Sequence, residues 1–250
     1  KELILVAQET TLYGKDLYGE KCLHKLVEEL CKIAGIRWIR ILYCYPEEIT
    51  NELIEVMKRE PKVCHYLDLP IQHASDGILK RMGRRTSKQE LIDIVKKLRK
   101  EIPDICLRTT LITGFPGETQ EQHEELIQFV DEMEFDRLGV FTYSPEEDTP
   151  AAVMPDQIEE EVKEDRQADL MELQQEIAFD NAEKMIGREM LVMIEGKVAD
   201  ENAYVGRTYR DAPNVDGLIF INTEEELLSG DFAKVKITGA LEYDLIGELL

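Results

Sequence analysis

The sequence predicts a two-part α/β chain, in which strand–helix units build a parallel sheet and a small all-β barrel follows. Three observations predict it. Short apolar runs rich in β-branched and aromatic residues recur at Leu3–Ala7, Trp38–Tyr43, His65–Leu69, Cys106–Ile112 and Leu138–Thr142, each long enough for a strand buried on both faces. These runs begin at residues 3, 38, 65, 106 and 138, a spacing that fits one strand, one helix and their loops. From Gly187 onward the pattern shortens to brief alternating runs separated by turn residues, which is the signature of an all-β unit.

The elements follow in order. Between the apolar runs lie amphipathic stretches with recognisable punctuation: Ser87-Lys88-Gln89-Glu90 and Thr119-Gln120-Glu121-Gln122 are capping boxes, and Gly35 reads as a helix stop. Five such units fit either a doubly wound sheet or an incomplete barrel, and periodicity does not separate the two. After Pro155 comes one long charged helix, about Asp156 to Met185, with an apolar stripe of Ile158, Val162, Leu170, Leu173, Ile177 and Met185; it reads as a connector. The last strands are expected at Met190–Ile194, Ala203–Thr208, Gly217–Ile221, Ala233–Ile237 and Tyr243–Gly247, with turns at Asp216-Gly217 and Ser229-Gly230. Five short strands in so few residues suggest a closed barrel of the OB type. The expected division is therefore 1–155 for the strand–helix part, 156–186 for the linker helix and 187–250 for the small barrel.

Composition bounds the function. Hydrophobic residues make up 43% and charged residues 33% of 250, which is ordinary for a folded globular chain and excludes disordered and fibrous classes. No window reaches the roughly 18 consecutive apolar residues of a membrane span, and no signal-peptide pattern opens the chain, so a cytoplasmic location without membrane partners is expected. The five cysteines, Cys22, Cys31, Cys44, Cys64 and Cys106, show neither CxxC nor CxxxCxxC spacing and read as buried thiols, with no metal ligand expected in the chain. The chain opens at Lys1, directly on an apolar strand and without Met, so it reads as a fragment. Its net charge of −22 repels nucleic-acid phosphates and attracts basic partners. The small barrel has the same bias, with six basic against thirteen acidic side chains.

In parallel α/β barrels, ligands sit at the C-terminal ends of the strands, where loops converge. Those ends are polar here: Gln8-Glu9-Thr10, Tyr45-Pro46-Glu47, Pro70-Ile71-Gln72-His73, Gly114-Phe115-Pro116-Gly117-Glu118 and Tyr143-Ser144-Pro145. The glycines of Gly114-Phe115-Pro116-Gly117 let backbone approach a flat ligand and expose N–H groups, although glycine at such a turn also serves geometry alone. Arg108, inside a strand, needs an anionic mate, either a ligand carboxylate or a structural acid. Gln72 and His73 can hydrogen-bond a polar ligand such as a ribose, and Glu9 can accept from an ammonium group. Together they imply a ligand with amino, carboxylate, ribose and base portions.

Val6-Ala7-Gln8-Glu9-Thr10-Thr11, Leu69-Pro70-Ile71-Gln72-His73 and Gly114-Phe115-Pro116-Gly117-Glu118-Thr119 resemble the radical-SAM methylthiotransferases, and the resemblance spans the whole chain. Gly206-Arg207-Thr208-Tyr209-Arg210-Asp211-Ala212-Pro213 and Val215-Asp216-Gly217 resemble the TRAM domain of the RimO branch. Where the tRNA-modifying MiaB branch reads Gln-Ser-Gly, this chain has Gln72-His73-Ala74. The resemblance implies a partial (β/α) radical-SAM barrel, of which the chain holds the last five of six units, then a linker helix and an OB-like TRAM barrel. It implies S-adenosyl-L-methionine (SAM) and two 4Fe-4S clusters in the intact protein, held by cysteines upstream of Lys1, so that the fragment lacks catalytic residues of its own. The implied reaction uses a radical made from SAM to place a methylthio group on an aspartate β-carbon of the twelfth small-subunit ribosomal protein. By family position Gln8 and Glu9 hold the SAM amino group, Gln72 and His73 its ribose side, Arg108 its carboxylate, and Gly114 and Phe115 its adenine. Arg207 and Arg210 are expected on the TRAM face that meets the basic ribosomal protein. The alternatives are a tRNA methylthiotransferase, which would need a basic stripe on TRAM, and a cluster-less ribosome-binding module.

Overall fold

The computed structural model describes residues 1–199 and 201–250. Five strands, β1 (Glu2–Leu5), β2 (Trp38–Ile41), β3 (Val63–Gln72), β4 (Cys106–Thr113) and β5 (Arg137–Thr142), pair in parallel and in chain order. A doubly wound sheet reverses its strand order partway, and this one does not, so the arc of an open barrel is the observed form. Its helices are α1 (Lys15–Tyr18), α2 (Leu23–Cys31), α3 (Asn51–Arg59), α4 (Asp76–Arg81), α5 (Lys88–Glu101) and α6 (Gln120–Met133).

Alternate strand residues face opposite sides of the sheet. Ile41, Leu67, Leu69, Leu107, Leu111 and Val140 point to the helices and join Leu53, Val95, Leu126 and Phe129 in the main core. Each such side chain contributes about 1.5–3 kcal/mol by leaving water. Both capping boxes form as expected: Ser87 and Glu90 close the start of α5, and Thr119 and Gln122 that of α6. Gly35 does not stop a helix, because α2 already ends at Cys31 with Lys32 as a right-handed cap. Four cysteines are buried and Cys31 is partly exposed.

The expected connector is α7 (Glu160–Glu183), and it is part of the body of the fold. It packs along β5 and α6, and its buried face reads Lys163, Arg166, Leu170, Gln174, Ile177, while Val162, expected in the apolar stripe, is exposed. The reason is hydrogen bonding. Strand β5 and the loop before it present carbonyls that need donors, and Gln167 and Gln174 donate to the oxygens of Val140 and Phe135 at 2.6 and 2.9 Å.

The small barrel consists of β6 (Glu189–Lys197), β7 (Ala203–Arg207), β8 (Ile219–Asn222), β9 (Phe232–Leu241) and β10 (Asp244–Leu249), closed in the order β10-β8-β7-β6-β9. Its interior holds Val192, Ile194, Ile219, Ile221, Val235 and Ile237. It docks on the N-terminal ends of the sheet strands, where Trp38, Cys64, Tyr66 and Cys106 pack on Met193 and Ala212. Around that apolar patch runs a network of charges. Arg40 pairs with Glu2 at 2.9 Å and donates to the Tyr209 carbonyl at 2.7 Å; Arg137 pairs with Asp211 at 2.5 Å; the Tyr66 hydroxyl donates to Asp216 at 2.6 Å. Among the described residues no helix is long and apolar enough to cross a membrane.

Candidate functional site

The C-terminal ends of the sheet strands surround a cavity of about 940 Å³. Gln72 and Phe115 line it, together with Tyr45, Ile112, Thr142 and Tyr143. Gln72 reaches it through an irregularity in β3: from Leu69 to Gln72 the strand takes one residue more than β4 takes from Thr109 to Leu111. Such a bulge re-aims a side chain. The Gln72 backbone is left-handed, with φ 73°, a conformation that costs a non-glycine residue on the order of 1–3 kcal/mol and persists where the surroundings fix it. Its amide Oε1 is buried with no hydrogen-bond partner among the described residues.

The Gly114-Phe115-Pro116-Gly117 turn is held from behind by one carboxylate. Glu118 is 2% exposed, and its Oε2 accepts from the Gly114 and Phe115 N–H groups at 2.7 and 3.3 Å. Its Oε1 accepts from Arg166 of α7 at 3.0 Å. Burial pushes the Glu118 pKa up, but His73, Arg166 and the Gly114 N–H together outweigh it and hold the carboxyl below its ordinary value. Lys163, one turn earlier on α7, runs under Gly114: a Cβ at Gly114 would lie 2.3 Å from Lys163 Cγ, so only glycine fits. The Lys163 ammonium donates to the Tyr143 carbonyl at 3.0 Å, while Phe115 and Tyr143 meet edge to face at 5.1 Å. One helix therefore fixes the loops after both β4 and β5.

The structure brings some expected site residues together and separates others. Gln72, Gly114 and Phe115 meet at the cavity or directly beneath it. His73 does not reach it: the imidazole is fully buried, its Nδ1 accepts from the Ser75 N–H at 2.9 Å, and its Nε2 therefore carries the proton, 3.6 Å from Glu118. The Glu9 carboxylate is already occupied, accepting from the N–H groups of Thr11 at 2.9 Å and Tyr45 at 3.0 Å and from the Thr11 hydroxyl, and so ties the loops after β1 and β2. Gln8 is exposed beside it and does not line the cavity.

Arg108 lies near the opposite end of β4, where Asp68 at 2.8 Å and Asp216 at 3.3 Å satisfy it. It lines a separate cavity of about 320 Å³ with Arg137 and Tyr243. The second reading, a structural ion pair, is the one the geometry gives. Arg207 and Arg210 correct a further expectation. Arg207 is 3% exposed and holds Glu2 and Glu195 at 2.6 Å each, and Arg210 pairs with Asp136 of the sheet part. Both face the seam between the two barrels, because the acids that neutralise them lie there.

Sequence reasoning missed Glu118, Lys163 and Arg166. The signal was present, since residues 163, 166, 170, 174 and 177 share one helical face, but two of them are charged and so fall outside a stripe drawn from apolar residues.

A family model described as the radical SAM superfamily matches residues 1–130, and one described as the TRAM domain matches residues 186–250. A protein of Lachnoclostridium phytofermentans named ribosomal protein uS12 methylthiotransferase RimO is 66% identical over 99% of this chain and 56% of its own length. Proteins of the same name from Clostridium botulinum strain Langeland and Desulfitobacterium hafniense are 55% and 52% identical, over 99% and 100% of this chain and 55% and 56% of their own. The chain thus spans little more than half the length of these relatives. With a family model on the strand arc, a second on the small barrel and relatives aligned from end to end, the chain belongs to the radical SAM superfamily and is RimO-like along its whole length.

Proposed function

We propose that this chain forms the SAM-binding and substrate-facing part of a methylthiotransferase that modifies an aspartate β-carbon of ribosomal protein uS12. The observation that carries the reading is the tethered Gly114–Gly117 turn beside the unpartnered amide of Gln72, at the mouth of a cavity large enough for SAM and a substrate side chain. These residues fit the cofactor. Phe115 and the glycine backbone offer an apolar shelf for adenine, and Gln72 Oε1 offers an acceptor for a ribose hydroxyl. When bound, SAM supplies the means to abstract hydrogen from an unactivated carbon, and the methyl group.

The chain's own residues position that ligand and keep water from beneath it: Glu118 and Arg166 fix the turn, Lys163 fills the space below Gly114, and Tyr143 closes on Phe115. The clusters are another matter. No group of three His, Cys, Asp or Glu side chains among the described residues could hold a metal ion, so these residues do not fit an iron–sulfur centre. A strongly acidic protein attracts a basic ribosomal protein and repels tRNA, which supports the uS12 reading over a nucleic-acid substrate. Incubation of the reconstituted full-length enzyme with uS12 and, separately, with tRNA tests it. Mass spectrometry is expected to find one methylthio group on the uS12 aspartate, and modification of tRNA alone would overturn the reading.

A further inference from the structure

Arg81, Arg84 and Arg85 line one wall of the cavity at the strand ends. In a chain with 52 acidic and 30 basic residues, none of the three has a carboxylate within ion-pair distance among the described residues. Most of the other arginines are paired, including those buried at the seam. Two of the three are held in place by something other than a carboxylate. Arg84 lies over the Tyr45 ring at 4.4 Å and donates to the Pro70 carbonyl, leaving its Nε buried and unpartnered. Arg81 crosses Gly117, where a Cβ would come within 2.1 Å of its Nη1 and the backbone has φ +77°; the glycine keeps a channel for the guanidinium. Carboxylates are near, but Glu48 is engaged by Lys21 and Glu47 is exposed at the rim.

A pre-set guanidinium pair without an internal acid is built to take an anionic oxygen from outside. A phosphate and a carboxylate would both suit the fork, and the rest of the surface chooses between them. With a net charge of −22 the exterior repels a polyanion and draws in a basic polypeptide. A cationic wall inside an acidic exterior matches a basic protein that carries one acidic residue into the cavity. We propose that Arg81 and Arg84, with Arg85 at the mouth, bind the carboxylate of the side chain whose β-carbon is modified, and so select Asp over its amide. The inference rests on the uS12 reading above.

The test measures binding of uS12, and of its Asp→Asn form at the modified position, to the reconstituted full-length enzyme, with the affinity for SAM measured in parallel. Wild type is expected to prefer the Asp form about tenfold, the effect of one charge-assisted pair. Arg81→Gln is expected to bring that preference to near unity while the SAM affinity stays unchanged, which also shows that the variant is folded. Arg81→Lys, which keeps the charge without the fork, is expected to restore only part of it. A preference that survives both Arg81→Gln and Arg84→Gln would overturn the inference, as would a variant that loses SAM affinity and keeps the preference, because the arginines would then serve the cofactor. Wild type binding both forms equally would sink the inference alone. Wild type binding neither would sink the uS12 reading and the inference with it.

Discussion

Replacing Glu118 with Gln changes one atom of a fully enclosed group and tests how the candidate site is held. The carboxylate accepts from the backbone N–H groups of Gly114 and Phe115 and from Arg166, with the Nε2–H of His73 at 3.6 Å. The amide keeps at most part of this, and it leaves the Arg166 guanidinium buried without its anion. Breaking a buried pair in that way costs about 3–5 kcal/mol, and the hydrogen bonds to a charged acceptor fall within that figure instead of adding to it. The expected result is a loss of about 3–5 kcal/mol in urea unfolding and a weaker SAM affinity. Arg166→Met together with Glu118→Gln is expected to recover stability, because no charge then stays buried.

The pH dependence follows from the lowered pKa of Glu118. A group with a depressed folded pKa contributes stability above its unfolded value, and that contribution is lost as pH falls through the folded one. The acid limb of the wild-type stability curve, below about pH 4.5, is expected to flatten in Glu118→Gln. A loss below about 1 kcal/mol, with unchanged SAM affinity, would refute the view that this carboxylate anchors the turn.

Two other outcomes follow from the seam and the thiols. Arg207→Ala leaves Glu2 with Arg40 alone and removes the partner of the half-exposed Glu195 and a donor to the Asp211 carbonyl, and is expected to destabilise by about 1–3 kcal/mol; a variant of wild-type stability that instead binds uS12 less tightly would restore a substrate-facing role. Burial pushes the Cys64 thiol up to about 12, and Cys106 higher still, so at pH 8 an alkylating reagent read by mass spectrometry should modify the partly exposed Cys31 before either of them.

The architecture was legible because short runs that end up buried on both faces, such as Tyr66–Leu69, recur at strand–helix spacing, and because the boxes at Ser87 and Thr119 name their own helix starts. The OB-like closure was legible from the alternation after Gly187. Of the expected site residues, Gln72 and Phe115 line the strand-end cavity and Gly114 lies beneath it, positions where polar chemistry and unusual backbone coincide in the sequence. Arg108, Arg207 and Arg210 were misplaced for one reason: a sequence displays a charge but not its mate, and the mates here lie at distant chain positions, such as Glu2 for Arg207. The same reasoning hid α7, whose Lys163 and Arg166 are buried because Tyr143 and Glu118 supply acceptors. The bulge before Gln72 had a visible cue, Pro70 inside a strand, which marks an interrupted ladder.

The seam also fixes an order of events during biosynthesis. Glu2 and Arg40 are made before Arg207 and the Tyr209 carbonyl that complete their bonding, which follow Glu2 by 205 positions and Arg40 by 169. Until the ribosome has released residues 207–216, the lower end of the sheet carries charges that stay in water, since an unpaired buried arginine costs too much. The lower end of the sheet is therefore completed only when the barrel docks on it, and a chain cut after α7 would leave Trp38, Cys64, Tyr66 and Cys106 without their cover, an apolar surface that favours self-association.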